Sequence, residues 1–229
     1  MEKKVEIVSK SYDKTIELSR KGIFQYGNLP NYITENPMYP LYQKMLLDSN
    51  SDSGSRLIKE FLEPKQGMKF IDIGCCLNLI DKNYQIWDSL YYGIDVSEKI
   101  IQTLEEYVKE HNLVIGDIVL GNMKEMAFSD EFFDIGACIG SLEYYKKEFI
   151  QIAIREFNRV LKKNGRFVLD IPNFDSVECK ISMMIEEYLG RKDEFDMHVD
   201  EFEELLNLYF DIIKKEIGDT IQYYLRKKD

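Results

Sequence analysis

The sequence predicts an α/β fold built on a mostly parallel sheet with helices on both faces. Three observations carry that expectation. From Met68 onward, short apolar runs alternate with longer stretches of helical periodicity. Two of the early runs end directly in Gly74 and Asp95. Near the C-terminus, Gly218-Asp219 joins two apolar runs by a link too short for a crossover, so that pair is antiparallel.

Residues 1–60 read as helices with a polar interruption. Val8, Tyr12 and Ile16 begin an imperfect helical stripe that continues over residues 18–23. Residues 28–40 hold Pro30, Pro37 and Pro40 and are expected as an ordered loop. A helix resumes over 41–47, a serine-rich break covers 49–55, and a helix over 56–62 ends before Pro64. Residues 69–73 are the first strand, closed by Gly74. Residues 90–94 are the second, running into Asp95 and then Ser97, whose hydroxyl suits a helix N-cap. The following helix carries Ile100, Ile101, Leu104, Tyr107 and Val108 on one face. Residues 117–120 and 133–139 are strands three and four. The next helix has Phe149, Ile150, Ala153, Phe157, Val160 and Leu161 on one side. It stops at Asn164-Gly165, residues that tolerate the left-handed conformation. Residues 166–171 are the fifth strand, ended by Pro172. A longer connection over 174–199 holds an amphipathic stretch at 183–189. Asp200 and Glu203 are spaced as a capping pair for a helix whose apolar face is Phe202, Leu205, Leu206 and Tyr209. Residues 210–216 and 220–226 complete seven strands, with no internal repeat and no low-complexity tract.

At 229 residues the chain suits one large domain, burying roughly 70% of the surface its unfolded form exposes. The boundaries expected are an N-terminal helical extension or lid over 1–63, a core over 64–173, a cap insertion over 174–199, and a last helix and hairpin over 200–229. With 41 acidic and 30 basic residues the formal charge is −11, and such a surface repels phosphate backbones. Nucleic acid is therefore not an expected partner. No segment approaches the ~20 unbroken apolar residues of a membrane span. The N-terminus is too polar for the core of a signal peptide, so a cytoplasmic location is expected by default. Cys75, Cys76, Cys138 and Cys179 lack paired C-x-x-C spacing, and the first three read as small buried residues at strand ends. With only His111 and His198 present, a multi-histidine metal centre is excluded and no metal site is expected.

In an open parallel sheet, ligands bind beyond the carboxyl ends of the strands, where the strand order reverses. The residues after each strand are therefore the candidates. Asp72, Gly74 and Cys75 surround the end of the first; a small residue there lets a ligand approach the backbone. Asp95, after the second, is an acceptor with two oxygens, suited to two neighbouring ribose hydroxyls.

At these residues the chain resembles a known family. The run GMKFIDIGCCLN followed by YYGIDVS resembles motif I and its acidic successor in class I S-adenosylmethionine-dependent methyltransferases. GNMKEMAFSDEFFDIGACIGSLEYY is similar to the family's stretch from the adenine loop into the fourth strand, and EFNRVLKKNGRFVLDIPN to its helix, turn and fifth strand. The likeness spans about residues 68–173 and, more loosely, the final helix and strand pair. It implies a Rossmann-like seven-stranded sheet with an antiparallel last strand. It also implies S-adenosyl-L-methionine as cofactor and methyl transfer to a small-molecule acceptor. Carried over, it puts Gly74 by the methionyl portion, Asp95 on the ribose and Val96 beside the adenine. Asn122 receives the adenine amino group, the Met123 backbone faces the ring, and Ile139 and Gly140 close the floor. Where the family shows Gly-x-Gly-x-Gly, only Gly74 matches; Cys76 and Asn78 replace the other two, with Asn78 the residue expected to take a positive φ.

Catalysis of such a transfer consists mainly of placing the nucleophile and removing its water and proton. His198, just before the last helix, is the candidate general base. Tyr144 and Glu143 are expected to orient the acceptor. Tyr12, Tyr26, Tyr39 and Tyr42, with Met183, Met184 and Tyr188, are candidates for a lid. A small-molecule substrate and a second copy of the chain in a homodimer are the partners expected. Two other classes stay open: a nicotinamide-dependent oxidoreductase, disfavoured by the missing G-x-G-x-x-G, and a non-catalytic binding protein or inactive partner subunit, favoured by the missing glycines.

Overall fold

The computed structural model describes residues 2–21, 29–49 and 53–229. In chain order its elements begin with α1 (Lys3–Arg20), α2 (Asn31–Thr34), α3 (Tyr39–Ser49), α4 (Ser53–Leu62), β1 (Lys69–Ile73), α5 (Asn78–Asp81), β2 (Leu90–Asp95) and α6 (Glu98–Glu110). They continue with β3 (Asp117–Leu120), β4 (Phe133–Cys138), α7 (Lys147–Val160), β5 (Leu161–Pro172), α8 (Val177–Leu189), α9 (Val199–Asn207), β6 (Phe210–Ile217) and β7 (Thr220–Lys227). The seven strands lie in the order β3-β2-β1-β4-β5-β7-β6. β1 to β5 pair in parallel, and β7 runs antiparallel to both β5 and β6. Among the described residues no helix is long and apolar enough to cross a membrane.

Strand alternation sends successive side chains to opposite faces, which builds two cores. Ile71, Ile73, Phe167, Leu169, Ile171, Tyr223 and Leu225 pack with α7 and α9 on one face. Phe70, Ile135, Ala137, Val168 and Tyr224 pack with α4 and α6 on the other. A third, smaller cluster joins Ile33, Tyr39 and Tyr42 to Ile181 and Ile185 of α8. Tyr39 and Tyr42 thus pack beneath the cap, and Tyr26 lies outside the described residues.

Local signals account for several boundaries. Ser97 caps α6, its hydroxyl accepting the Ile100 N–H at 3.1 Å. Ser176 caps α8 in the same way, and Gly190 ends that helix in the left-handed conformation. Three expectations are corrected. The proline-rich stretch holds the short helix α2 rather than only loop. α7 ends at Val160, before Asn164-Gly165, because Leu161 already pairs with Phe133 of β4. The Asp200/Glu203 capping pair does not form. α9 starts two residues too early for it, with His198 rather than Asp200 as the N-cap residue and no side-chain cap. Glu203 instead accepts from Tyr223 Oη at 3.1 Å and pairs with Lys215.

Candidate active site

The sheet order reverses between β1 and β4: β2 and β3 follow on one side, β5 and β7 on the other. Loops diverge from such a point and leave a crevice at the strand ends. At the end of β1, Gly74 has a φ of +67°, and a Cβ there would stand 2.1 Å from Ser141 Oγ. Only glycine fits both conditions. Cys76 also has a positive φ, at 41°, a conformation that strains a side-chain-bearing residue by roughly 1–2 kcal/mol. Asn78, where the positive φ is expected from sequence, opens α5 instead and turns its amide toward Asp72 Oδ1 at 3.4 Å.

Asp95 ends β2 and is 7% exposed. Its Oδ2 accepts the Cys76 N–H and its Oδ1 the Ser97 N–H, both at 2.9 Å. These donors, together with the Val96 N–H, fix the carboxylate beside the bend. Burial raises the Asp95 pKa to about 6 against the pull of those N–H groups, so it is charged at neutral pH. Behind it, Asp72 is fully buried beneath the Tyr91 hydroxyl at 3.0 Å, and burial pushes its carboxyl up to about 8.

Three cavities meet at this edge. Gly74, Cys76, Asp95, Val96, Met123 and Tyr144 line one of about 30 Å³, to which α1 contributes Val8 and Tyr12. That is the volume of about one water molecule. Val96 and Gly121 also line a cavity of about 480 Å³ that includes Asn122 and Asp13. Tyr12 and Tyr144 also line the third, about 250 Å³, at the ends of β4 and β5 with Gly140, Glu143 and Asp170.

α1 is tied down on both sides of the first cavity. Asp13 accepts from Ser97 Oγ at 2.6 Å and from the Lys99 N–H at 3.0 Å. Ser11 Oγ donates to the Leu189 carbonyl at 2.7 Å. Arg191, 1% exposed, lies 4.1 Å over the Tyr12 ring and pairs with Glu186. The Tyr12 and Tyr144 hydroxyls stand 3.1 Å apart, and Tyr144 donates to Glu186 Oε2 at 3.1 Å. Burial pushes both phenols well above their ordinary range, so they keep their protons and act as hydrogen-bond donors rather than as general bases.

The sequence-predicted residues sort by place. Gly74, Asp95, Val96, Met123 and Tyr144 line the smallest cavity; Asn122 lines the outer one; Gly140, Glu143 and Tyr144 line the inner one. Asp72, Cys75 and Ile139 stand behind the walls; Cys75 is fully buried. His198 is exposed at the start of α9 and lines none of these cavities, so the geometry does not bring it to the others. Sequence reasoning missed Val8, Gly121, Ser141, Asp170 and Asp193. Asp170 and Ser141 carried a usable signal, since both sit at or just beyond strand ends.

Comparison with known proteins bears on the domain and its fold. Residues 71–169 match a family model described as a methyltransferase domain. An uncharacterized protein of Methanocaldococcus jannaschii is 26% identical over 145 residues, 61% of this chain and 57% of that protein. Demethylmenaquinone methyltransferase of Alkalihalophilus pseudofirmus is 34% identical over 76 residues, 33% of this chain and 31% of that enzyme. The chain therefore spans roughly a third to a little over half the length of these relatives. Among solved structures, geranyl diphosphate C-methyltransferase of Streptomyces coelicolor, in complex with Mg2+, geranyl diphosphate and S-adenosyl-L-homocysteine, superposes with a TM-score of 0.69 at 11% identity. That superposition covers 99% of this chain and 98% of that one. Residues 71–169 thus match a methyltransferase domain model, and the chain shares the Rossmann-like fold of the solved methyltransferase.

Proposed function

We propose that the protein transfers a methyl group from S-adenosylmethionine to a small-molecule acceptor. The observation that carries this is the Asp95 carboxylate, held by two backbone N–H groups beside a bend that only glycine can make. Ribose hydroxyls donating to its oxygens are the partners this arrangement suits. Val96 and Asn122 line the 480 Å³ cavity, which leaves room for the adenine, and Met123 borders it from the narrow one. The methionyl end fits chemically but is pinched to 30 Å³ by Val8 and Tyr12 together with Cys76, and Asn78 does not line it. Entry of that end requires α1 to draw back.

When bound, S-adenosylmethionine supplies a methyl already activated by its sulfonium centre. The chain's own contribution is placement and exclusion of water. Tyr12 and Tyr144 stand between the donor cavity and the inner cavity, and Tyr144 positions the acceptor. Proton acceptance falls to the inner carboxylates, whose pKa values burial raises to about 6 at Asp170 and about 7 at Asp193. His198 takes no part in this scheme. An inner cavity of 250 Å³ suits a small molecule, and the charge of −11 disfavours nucleic acid. A cytoplasmic location and a homodimer belong to the same proposal.

The narrow methionyl end favours one second reading, a binding protein without activity. Isothermal titration with S-adenosylmethionine and with NAD separates the cases. Binding of the first alone is expected. Binding of NAD alone refutes the proposal, and binding of neither leaves the inactive partner.

A further inference from the structure

α1 closes the narrow end of the donor site, yet little apolar surface holds it there. Of its eighteen residues only Val5, Val8, Ser9 and Ser11 are buried, and two of those are serines. Tyr12 and Ile16 add half-buried contacts. The rest of the attachment is polar. Asp13 Oδ1 accepts from Ser97 Oγ at 2.6 Å and from the Lys99 N–H at 3.0 Å, at the first turn of α6. Glu17 pairs with Lys99, Arg20 with Glu106, Lys4 with Glu194 and Glu2 with Lys124, and each pair has a partner more than a third exposed. On the other side Ser11 donates to the Leu189 carbonyl and Arg191 packs over the Tyr12 ring. An element with few buried apolar contacts opens locally, without unfolding the rest, and ion pairs as exposed as these weaken when salt screens them.

The helix in this position shuts the site. Val8 and Tyr12 leave only about 30 Å³ beside Gly74 and Cys76, the room of about one water, which does not admit a methionyl group. Ser97 links the fastening of α1 to the ribose carboxylate, since its hydroxyl donates to Asp13 and its backbone N–H to Asp95 at 2.9 Å. We infer that α1 is a strap that holds the donor site closed in the free protein and opens as a unit, with Asp13 as its latch on α6. What the strap admits rests on the methyltransferase proposal above; its opening stands on the contacts of α1 alone. Opening hands the Ser97 hydroxyl and the Lys99 N–H to water and uncovers Gly74 and Cys76 together. The Ser97 N–H stays on Asp95 throughout, so the ribose carboxylate keeps its place while the methionyl end gains room.

The test is the rate at which N-ethylmaleimide labels each cysteine, read by mass spectrometry of the peptides. Cys76 lines the covered cavity, whereas Cys138 is fully buried in β4 and reports unfolding of the whole domain. Cys76 should label ~tenfold or more faster than Cys138, because local opening precedes global unfolding. Asp13→Asn keeps the shape of the latch and removes its charge, and should speed Cys76 a further ~tenfold with Cys138 unchanged. Raising NaCl from ~0.05 to ~0.5 M should speed Cys76 several-fold relative to glutathione, an open thiol. Asp13→Asn should also raise the association rate of S-adenosylhomocysteine by a similar factor, and the bound ligand should protect Cys76. Cys76 labelling no faster than Cys138, or indifferent to Asp13→Asn or to salt, overturns the strap. The salt series needs no variant and decides the matter if Asp13→Asn does not fold. If S-adenosylhomocysteine neither binds nor protects, the methyltransferase proposal falls, and the labelling of the free protein still decides whether α1 opens.

Discussion

Lowering the pH should weaken cofactor binding through Asp95 before it harms the fold. The group's pKa is held up to about 6 by burial. Ribose hydroxyls donate best to the charged carboxylate, so binding favours the ionised form and affinity is lost as pH falls through 6. At pH 5 about one molecule in ten carries the charge, which weakens binding ~tenfold relative to pH 7.5. Asp95→Asn removes the charge at every pH. Hydrogen bonds to a charged group contribute ~1.5–3 kcal/mol and neutral ones ~0.5–1.5, so exchanging two of them costs about 2 kcal/mol, a further loss of ~tenfold or more. Asp95→Ala should lose at least as much, and also leaves the Cys76 and Ser97 N–H groups without acceptors. The assay is isothermal titration with S-adenosylhomocysteine from pH 5 to 8, with a thermal melt of each variant to confirm folding. Asp170→Asn is the control. Asp170 also titrates near 6 but is tied to Gly140 at the inner cavity, so its loss should leave the pH profile in place. A folded Asp95→Asn protein with wild-type affinity, or a flat profile in the wild type, would show that the ribose assignment is wrong.

Asp72→Asn should flatten the dependence of stability on pH. Its folded pKa of about 8 stands above the ordinary 3.8, so the folded chain keeps a proton that the unfolded chain releases. The resulting stability is full below about pH 4 and is lost as pH rises through 8. Thermal melts at pH 5 and pH 9 should therefore converge in the variant, with the gain at pH 9; an unchanged gap would place the proton elsewhere. Cys76→Gly should leave Tm within a few degrees of wild type, because relief of ~1–2 kcal/mol of backbone strain offsets glycine's larger entropy loss. The same change removes a side chain from the narrowest cavity, so S-adenosylhomocysteine should bind several-fold tighter. Weaker binding on titration would mean that the Cys76 side chain contacts the ligand favourably.

The elements legible in the sequence are those fixed by local pattern. The strands β1, β2, β4 and β5 announce themselves as apolar runs, and Ser97 as a cap, because neighbours within four residues decide each. Gly74 and Asp95 were legible for a topological reason: both follow parallel strands at the reversal of sheet order. His198 failed on the same kind of rule. Being just before the last helix places a residue near the correct edge but does not aim its side chain, and here the helix start leaves it in solvent. The positive φ at Cys76 had no signal in the residue itself, only in its standing where the family has glycine. Asp193 could not be found from pattern at all. Its place in the cavity wall comes from α8 and the following segment folding back over the ends of β4 and β5, a matter of packing between distant segments.

The N-terminal helix is the feature through which the two ends of the site bear on each other. Tyr12 lies in the walls of both the donor and the inner cavity, and its hydroxyl meets that of Tyr144, which lies in both walls too. Arg191 covers the Tyr12 ring while neutralising Glu186, which Tyr144 also contacts. If α1 withdraws to admit the methionyl end, as proposed, it separates Tyr12 from Tyr144 and Arg191. That separation exposes the Glu186 side of the inner cavity and changes its charge balance. Because the same contacts remake when α1 returns, an occupied inner cavity that holds Tyr144 in place favours the closed helix, and a closed helix retains whatever lies beneath it. Coupling of this kind requires only that one group belong to two walls, and Tyr12 and Tyr144 both do.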